Sequence, residues 1–132
     1  LGGTYSGNPI ACAAALATLN EMTDANLHAW GTQQEEAIVG RHATWLASKL
    51  TPYLGRLTGV GAMRGIELIN VDGSPGSAQL TQLLTLARDA GLLLMPSGKS
   101  RNIIRLLAPL TIEAAVLEEG LDILEACLKK LT

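Results

Sequence analysis

Arg105 is the first residue of the chain whose type and setting could do chemistry. It lies in the apolar run of residues 103–107, Ile-Ile-Arg-Leu-Leu. A charged residue among apolar neighbours is costly unless it is paired, and a planar guanidinium can bind a carboxylate or phosphate through two parallel hydrogen bonds. The alternative is an alternating strand whose arginine faces solvent. The spacing alone leaves both interpretations open.

A glycine-rich loop at residues 1–8, Leu-Gly-Gly-Thr-Tyr-Ser-Gly-Asn, is the second candidate. Exposed backbone N–H groups and the hydroxyl of Thr4 suit an anion such as phosphate. Asn8 followed by Pro9 predicts a helix directly after the loop, because asparagine caps helices and proline favours their first position. The simpler interpretation is a tight turn before that helix, and the residues alone favour the turn.

The other reactive side-chain types form no comparable pattern. Lys99 lies in the polar stretch Ser-Gly-Lys-Ser, where we expect it to be solvated rather than held in the apolar pocket that activates a nucleophilic lysine. His28 and His42 lack a partner at a suggestive spacing, and we expect both on the outer face of a long helix. No His and Cys spacing typical of a metal site is present. The sequence therefore predicts neither a nucleophile nor a metal centre.

Alternating helices and strands must position these candidates. Residues 10–22 are apolar on every side, which predicts a buried helix. Ser77 and Thr111 are expected to cap the third and fourth helices. The expected helices are residues 10–22, 24–50, 78–90 and 112–131, and the expected strands are 57–60, 63–69, 92–95 and 102–107. This order predicts an α/β chain of the α+β kind, with a small, mostly antiparallel sheet packed with helices.

Composition limits the classes of partner. The chain has 132 residues, 48% of them hydrophobic and only 17% charged. So few charges suggest that some apolar surface meets another domain or subunit. The net charge of −2 without a basic block argues against nucleic acid, and no apolar run is long enough for a membrane span or forms a signal peptide. Cys12 and Cys127 are expected to remain free thiols rather than to form a disulfide.

Three segments in register carry a resemblance to a known family. Residues 2–9, Gly-Gly-Thr-Tyr-Ser-Gly-Asn-Pro, resemble the Gly-Gly-Thr-x-x-Gly-Asn-Pro signature of the class III pyridoxal-phosphate-dependent aminotransferases. Residues 59–68 resemble the glycine-rich strand pair of that family, and residues 102–112 resemble its carboxylate-binding strand. The last segment looks most like that of gamma-aminobutyrate aminotransferases. The resemblance covers essentially the whole chain.

The resemblance implies specific roles for three residues. Gly3 and Thr4 match the positions that bind the phosphate of pyridoxal 5'-phosphate, across a dimer interface in the neighbouring subunit's site. Arg105 matches the arginine that binds the carboxylate of the amino donor or of the 2-oxo acid. The matching reaction moves an amino group from an omega-amino acid such as 4-aminobutyrate to 2-oxoglutarate.

The resemblance also implies an architecture and a setting. The fold would be that of the aspartate-aminotransferase-type (fold type I) enzymes. Residues 1–23 would then end the large cofactor-binding domain, with the phosphate loop and a buried helix. Residues 24–132 would form the small C-terminal domain with its long connecting helix. The intact enzyme would be a cytoplasmic homodimer that acts on small-molecule amino acids and 2-oxo acids.

Two departures from the family pattern keep alternatives open. The arginine that usually precedes the Gly-x-Gly of the strand pair is replaced by Thr58, while Arg64 is unusual. The lysine that holds the cofactor, and the acidic and aromatic residues around its ring, have no match in this chain. Alternatives are therefore an aminomutase or a decarboxylating transaminase of the same fold, or a non-catalytic interaction module.

We predict that these 132 residues alone have no transaminase activity. Every lysine of the chain lies in a polar loop or on a helix surface, and a solvated lysine is poorly suited to hold and activate the cofactor. The measurement is product formation by the isolated chain with pyridoxal phosphate, an amino donor and 2-oxoglutarate. Product above a blank without protein would contradict the prediction.

Overall fold

The computed structural model describes residues 3–23 and 25–132 as a mixed fold of helices and strands. The helices are α1 (Pro9–Met22), α2 (Ala25–Ala47), α3 (Ser77–Asp89) and α4 (Ala114–Leu128). The strands are β1 (Leu54–Val60), β2 (Met63–Leu68), β3 (Met95–Ser97) and β4 (Ile103–Leu106). Within the described residues, no helix is long and apolar enough to cross a membrane.

The strands form a single four-stranded antiparallel sheet in the order β1-β2-β4-β3. β1 and β2 are joined by a tight turn in which Gly61 adopts a φ of 58°, a conformation that glycine reaches without steric cost. β4 then pairs with β2 on one side and with the short edge strand β3 on the other. The predicted class, a small antiparallel sheet packed with helices, is confirmed.

The two faces of this sheet have opposite characters, because successive side chains of a strand point to opposite sides. Ile66 and Leu68 of β2 and Ile104 of β4 are fully buried, and they pack in one core with apolar residues of α2, α3 and α4. The residues between them in sequence point away from the helices. We call that side the open face, and its residues are Arg56, Thr58, Met63, Gly65, Glu67, Met95, Ile103 and Arg105.

The leucine stripe of α4 supplies much of the core. Leu121, Leu124 and Leu128 are buried, as the four-three-four spacing predicts. Across from them, Ile38 and Trp45 of α2 are also buried. These contacts clamp α2 against α4 over the helix side of the sheet.

An ion-pair cluster ties α2 to α4 at the edge of this core. The guanidinium of Arg41 on α2 binds the carboxylates of Glu118, Asp122 and Glu125 on α4. The Trp45 indole N–H also donates to Glu125, at 2.8 Å. Hydrogen bonds from Lys129, from Trp45 and from Arg41 lower the pKa of Glu125 from 4.5 to about 2. A carboxylate with this many donors favours the charged form, so the cluster stabilises the folded chain at neutral pH.

Helix α1, which the sequence predicts to be buried, is not covered by the other described residues. The cap is as expected, because the Asn8 side chain accepts a hydrogen bond from the N–H of Ala11 at 2.9 Å. Every residue from Pro9 to Met22, however, is exposed. The helix is largely apolar, yet none of its residues is buried by the other described elements. Asp24, with which the second helix was expected to begin, lies outside the described residues.

Several predicted helix and strand boundaries also differ, including the start of β1 at Leu54 rather than residue 57 and the end of α2 at Ala47 rather than residue 50. Gly76, not Ser77, occupies the cap position of α3, and the Ser77 hydroxyl donates instead to the carbonyl of Ser100. Glu113, not Thr111, precedes α4, because a turn closed by Ile112 N–H and Pro109 O occupies that stretch.

The third strand is residues 95–97 rather than 92–95. Its pairing with β4 decides this, and an edge strand tolerates the missing N–H of its proline.

The predicted positions of the two histidines are right for one and wrong for the other. His28 is exposed on α2, as expected. His42 is buried, with 5% of its surface exposed, and its Nε2 lies 3.0 Å from the carbonyl oxygen of Gly55 in β1. Since a carbonyl only accepts, Nε2 carries the hydrogen. His42 therefore links α2 to the first strand. Cys12 and Cys127 are free thiols, as predicted.

Glu125 leads to a prediction about stability and pH. Its folded pKa of about 2 lies below its ordinary value of 4.5, so its contribution is present above about pH 4.5 and is lost as the pH falls towards 2. We expect Glu125→Gln to lower the unfolding free energy by roughly 1–2 kcal/mol at pH 7. Denaturant unfolding should show this difference shrinking between pH 4.5 and pH 2. The exposed Glu119→Gln on the same helix is the control, and an equal loss at all pH values would contradict the role of the charge.

Gly65 leads to a prediction about packing on the open face. A Cβ added there would lie 2.8 Å from the Thr58 hydroxyl oxygen and 2.9 Å from the Cγ2 of Ile103. We expect Gly65→Ala to destabilise the fold by about 1–3 kcal/mol through overpacking. Gly40→Ala on α2 is the matched control, because nothing lies within 4 Å of its added Cβ and alanine favours a helix by about 1 kcal/mol. Thermal unfolding of both variants should therefore give shifts of opposite sign.

Candidate functional site

Arg105 stands near the middle of the open face. Its strand neighbours in register are Gly65 of β2 and Met95 of β3. The side chain is exposed, and it makes no hydrogen bond or ion pair with any described residue. The guanidinium is therefore available to a ligand. Within the described chain, the structure agrees with the second interpretation, an alternating strand whose arginine faces solvent.

The cross-strand neighbour of Arg105 in β2 is a glycine, so no side chain covers the guanidinium on that side. Gly65 lies directly across from Arg105 and has no side chain to cover it. On the far side of Gly65, the hydroxyl of Thr58 donates to the Gly65 carbonyl at 3.1 Å. Thr58, Gly65 and Arg105 thus form one row across three strands. A small residue and a bound hydroxyl leave space over the row for a ligand of the guanidinium.

The acidic residue of the open face is already engaged by another arginine. Glu67 is diagonal to Arg105, because it pairs in register with Ile103 two residues earlier. Its carboxylate accepts a hydrogen bond from Arg56 Nε at 3.0 Å. Arg56 therefore offsets the charge that would otherwise compete for Arg105. This leaves a positive guanidinium in the row and suits an incoming anion.

Arg64 lies on the opposite side of the sheet from Arg105. Its guanidinium pairs with Glu35 of α2 and donates to the carbonyl oxygens of Gly59 and Gly61, both at 2.8 Å. Only 12% of the side chain is exposed. Arg64 therefore fastens the β1–β2 turn to α2, and it does not replace an arginine at Thr58, which lies on the open face.

An apolar cavity of about 220 Å³ adjoins the Arg105 strand. It lies where β4 continues beyond its pairing with β3, between residues 92–94, residues 105–108 and the helices α2 and α4. Its walls are largely aliphatic, with Ile38, Leu121 and Leu124 at the base. These base residues belong to the core, so the cavity lies on the helix side of the sheet, whereas the Arg105 guanidinium lies on the open face.

The loop before α1 presents the groups that a phosphate requires. Turns close from Ser6 N–H to Gly3 O at 3.1 Å and from Asn8 N–H to Tyr5 O at 3.2 Å. Within the described residues, the exposed Thr4 hydroxyl has no hydrogen-bond partner. A Cβ on Gly3 would come within 3.3 Å of the Ser6 hydroxyl oxygen, so glycine keeps the turn tight. A free hydroxyl in front of a 14-residue helix fits a phosphate group.

The structure does not bring this loop and Arg105 together. No described hydrogen bond or ion pair links residues 3–23 to β4. Lys49, Lys99, Lys129 and Lys130 are all exposed, so the described residues include no buried lysine. Residues 3–23 and 25–132 also contain no group of three acidic, His or Cys side chains that could hold a metal ion. The described chain thus has two candidate binding elements that do not contact each other.

Several residues around Arg105 were not predicted from the sequence as parts of the site. Gly65 could have been found, because counting alternate positions back from the Gly61 turn places it across from the Arg105 strand. The Arg56–Glu67 pair has the cross-strand spacing of a hairpin and could have been found in the same way. Gln34 on α2 donates to the carbonyls of Pro109 and Leu110. No sequence signal predicts a contact between a helix side chain and backbone so distant in the chain.

Comparisons with known proteins agree with this picture. Residues 1–128 match the family model of the class-III aminotransferases. Over 99% of the chain, the sequence is 72% identical to a 2-aminoadipate transaminase of Pseudomonas putida and 42% identical to a 4-aminobutyrate aminotransferase of Mycobacterium tuberculosis. The chain spans 32% and 29% of the lengths of these two relatives.

A solved structure agrees as well. A phospholyase from Arthrobacter, in complex with phosphoethanolamine, superposes on the whole chain with a TM-score of 0.86 at 28% identity. The chain covers 31% of that protein. With both the sequence match and the fold in agreement, the chain belongs to the class-III aminotransferase family.

Proposed function

We propose that this chain is part of a transaminase that moves an amino group from a carboxylate-bearing amino acid to 2-oxoglutarate. The single observation that carries the proposal is Arg105, an unpaired guanidinium in the middle of the open face. A guanidinium binds a carboxylate in a fixed, bidentate geometry. Held in this way, the substrate presents its amino-bearing carbon in one orientation, which is a positioning contribution to catalysis.

The family implies pyridoxal phosphate as the cofactor, and the loop before α1 fits its phosphate. Gly3 and Thr4 would hold that group through backbone N–H and hydroxyl donors. When bound, the cofactor supplies an electron sink for the carbon that loses its proton. The roles of this chain are to bind the phosphate and to orient the substrate carboxylate.

The assembly is part of the same proposal. The loop and Arg105 do not meet within the chain, so a homodimer in which the loop serves the partner's site would give both elements a role. Residues 1–23 would belong to the large domain of a cytoplasmic enzyme and residues 24–132 to its small domain. The exposed apolar surface of α1 supports this division, because a free helix of such composition is unfavourable in water.

The amino donor that we propose first is 2-aminoadipate. The support is the higher identity to the 2-aminoadipate transaminase over the same share of the chain. The second candidate, 4-aminobutyrate, is supported by the relatives that act on it and by the resemblance of residues 102–112 to their strand.

Replacing Arg105 in the full-length enzyme tests the proposal. We expect Arg105→Ala to lower kcat/KM for 2-aminoadipate, and the decrease should correspond to about 2–5 kcal/mol of lost transition-state binding. This is the range for truncating one partner of a buried hydrogen-bonded charge pair. Arg105→Lys should retain only part of the activity, since an ammonium lacks the bidentate fork. The measurement is steady-state kinetics with 2-aminoadipate and 4-aminobutyrate as donors and single-turnover kinetics with 1-aminohexane.

The donor without a carboxylate is the internal control. The first half-reaction of 1-aminohexane, measured in a single turnover without 2-oxoglutarate, should change little in Arg105→Ala, because this donor offers the guanidinium nothing to bind. Arg101→Ala, an exposed arginine in the loop before β4, is the matched protein control. Equal losses for all three donors would assign Arg105 a structural role, and a wild-type enzyme that turns over none of them would refute the transaminase itself.

A further inference from the structure

Gln34 of α2 holds the segment that follows the Arg105 strand. Its side chain is buried, with 3% of the residue exposed. The Nε2 group donates to the carbonyl oxygens of Pro109 at 2.8 Å and Leu110 at 3.1 Å. These carbonyls lie four and five residues after Arg105, so one amide of α2 fixes the direction in which the chain leaves β4.

The amide orientation of Gln34 is set by its partners. Both partners are carbonyl oxygens, which only accept hydrogen bonds, so the nitrogen must face them. A buried amide is costly unless such bonds are made, whereas an apolar side chain of similar length would fill the same space. An apolar residue could not, however, select the positions of two carbonyls. The side chain of Leu110 also approaches α2 at Gly31, where an added Cβ would be 3.6 Å away.

Glu35, the next residue of α2, holds β2, the strand that pairs with β4. It pairs with the guanidinium of Arg64 in β2, and Arg64 pairs in register with Leu106, the residue after Arg105. Gly65, the direct partner of Arg105, follows Arg64 in the chain. Two successive residues of one helix thus fasten β2 and the exit of β4 from the helix side of the sheet.

We propose that Gln34 and Glu35 are positioning residues for Arg105, which they influence through the backbone without touching a ligand. The proposal rests on the carboxylate-binding role given to Arg105 above. Bidentate recognition requires its groups to be held within about 0.5 Å of the productive geometry. The Arg105 side chain has no partner of its own among the described residues. Its placement therefore depends on the backbone that carries it. Helix α2 fixes that backbone through two contacts, one to the segment after β4 and one to β2.

The sequence offers two matched pairs for the test in the full-length holoenzyme. Gln34→Met keeps the length and removes the donors, and Gln33→Met makes the same change at the exposed neighbouring residue. Glu35→Gln removes the charge that binds Arg64, and Glu36→Gln makes the same change at an exposed position. The ligand is glutarate, a dicarboxylate without an amino group, and its binding is measured by calorimetry. Arg105→Ala defines the complete loss of the arginine.

We expect the Kd of glutarate to rise about tenfold in Gln34→Met and about threefold to tenfold in Glu35→Gln. The controls at residues 33 and 36 should stay within about twofold of the wild type. In kinetics, KM for 2-aminoadipate should rise in parallel while kcat and the first half-reaction of 1-aminohexane change by less than about threefold. A purely structural role would instead lower the melting temperature and the active fraction for all donors alike.

Two outcomes separate this proposal from the proposed function. If wild-type enzyme binds glutarate through Arg105 but transfers no amino group, the transaminase proposal fails, and the comparison of the four variants still decides the positioning role. If Gln34→Met and Glu35→Gln bind glutarate as tightly as the wild type, the positioning role is overturned. If Gln34→Met does not fold, Glu35→Gln alone decides the positioning role. If Arg105→Ala binds glutarate as tightly as the wild type, the roles of Arg105, Gln34 and Glu35 are all overturned.

Discussion

Alternation of side chains across the sheet is the constraint on which the rest of the structure depends. Ile66 and Ile104 must face the helices to form the core, and this choice sends Gly65 and Arg105 to the other side. A shift of one residue in either strand would bury the arginine and expose the isoleucines. The hydrophobic core therefore fixes the side on which the guanidinium stands, with no need for a contact to Arg105 itself.

The long helix α2 converts this two-sided sheet into a fixed frame. Toward α4 it presents Arg41 and Trp45, which share the carboxylate of Glu125. Toward the strands it presents Glu35 to Arg64 and His42 to the backbone of Gly55. The charged contacts at the edge add to an apolar core already formed by Ile38 and its neighbours. One helix thus holds its partner helix, the hairpin and the exit of β4 at the same time.

The sequence predicted what depends on local periodicity and failed where contacts between distant segments decide. The leucine stripe of α4, the cap at Asn8 and the strand pair around Gly61 follow from spacing and backbone chemistry. His42 looked like a surface residue of a helix, and only its contact with β1 buries it. The position of β3 depended on pairing with β4 rather than on its own apolar run. Arg105 itself was predicted as a candidate, but its accessibility needed the register of two strands.

The helix α1 marks the limit of arguing burial from composition. An all-round apolar pattern predicts that a helix is covered, but it does not say by what. Within the described chain nothing covers it, and large apolar side chains such as Ile10 and Leu16 are exposed. The low share of charged residues, 17%, is consistent with this surface. The expectation that apolar surface meets another domain or subunit is compatible with this exposed helix, and that partner stays a prediction.

The strength of Arg105 as a carboxylate ligand depends on what lies over the open face. Two unit charges about 4 Å apart attract by about 1 kcal/mol in bulk water and by about 4 kcal/mol at an effective dielectric constant of about 20. In the described chain the side chain is exposed, so a carboxylate bound there would remain near the weaker limit. Covering the open face would strengthen the same pair without altering one atom of β4. In the proposed role, the guanidinium would supply the specificity for a carboxylate, and a surface covering the open face would supply most of the affinity.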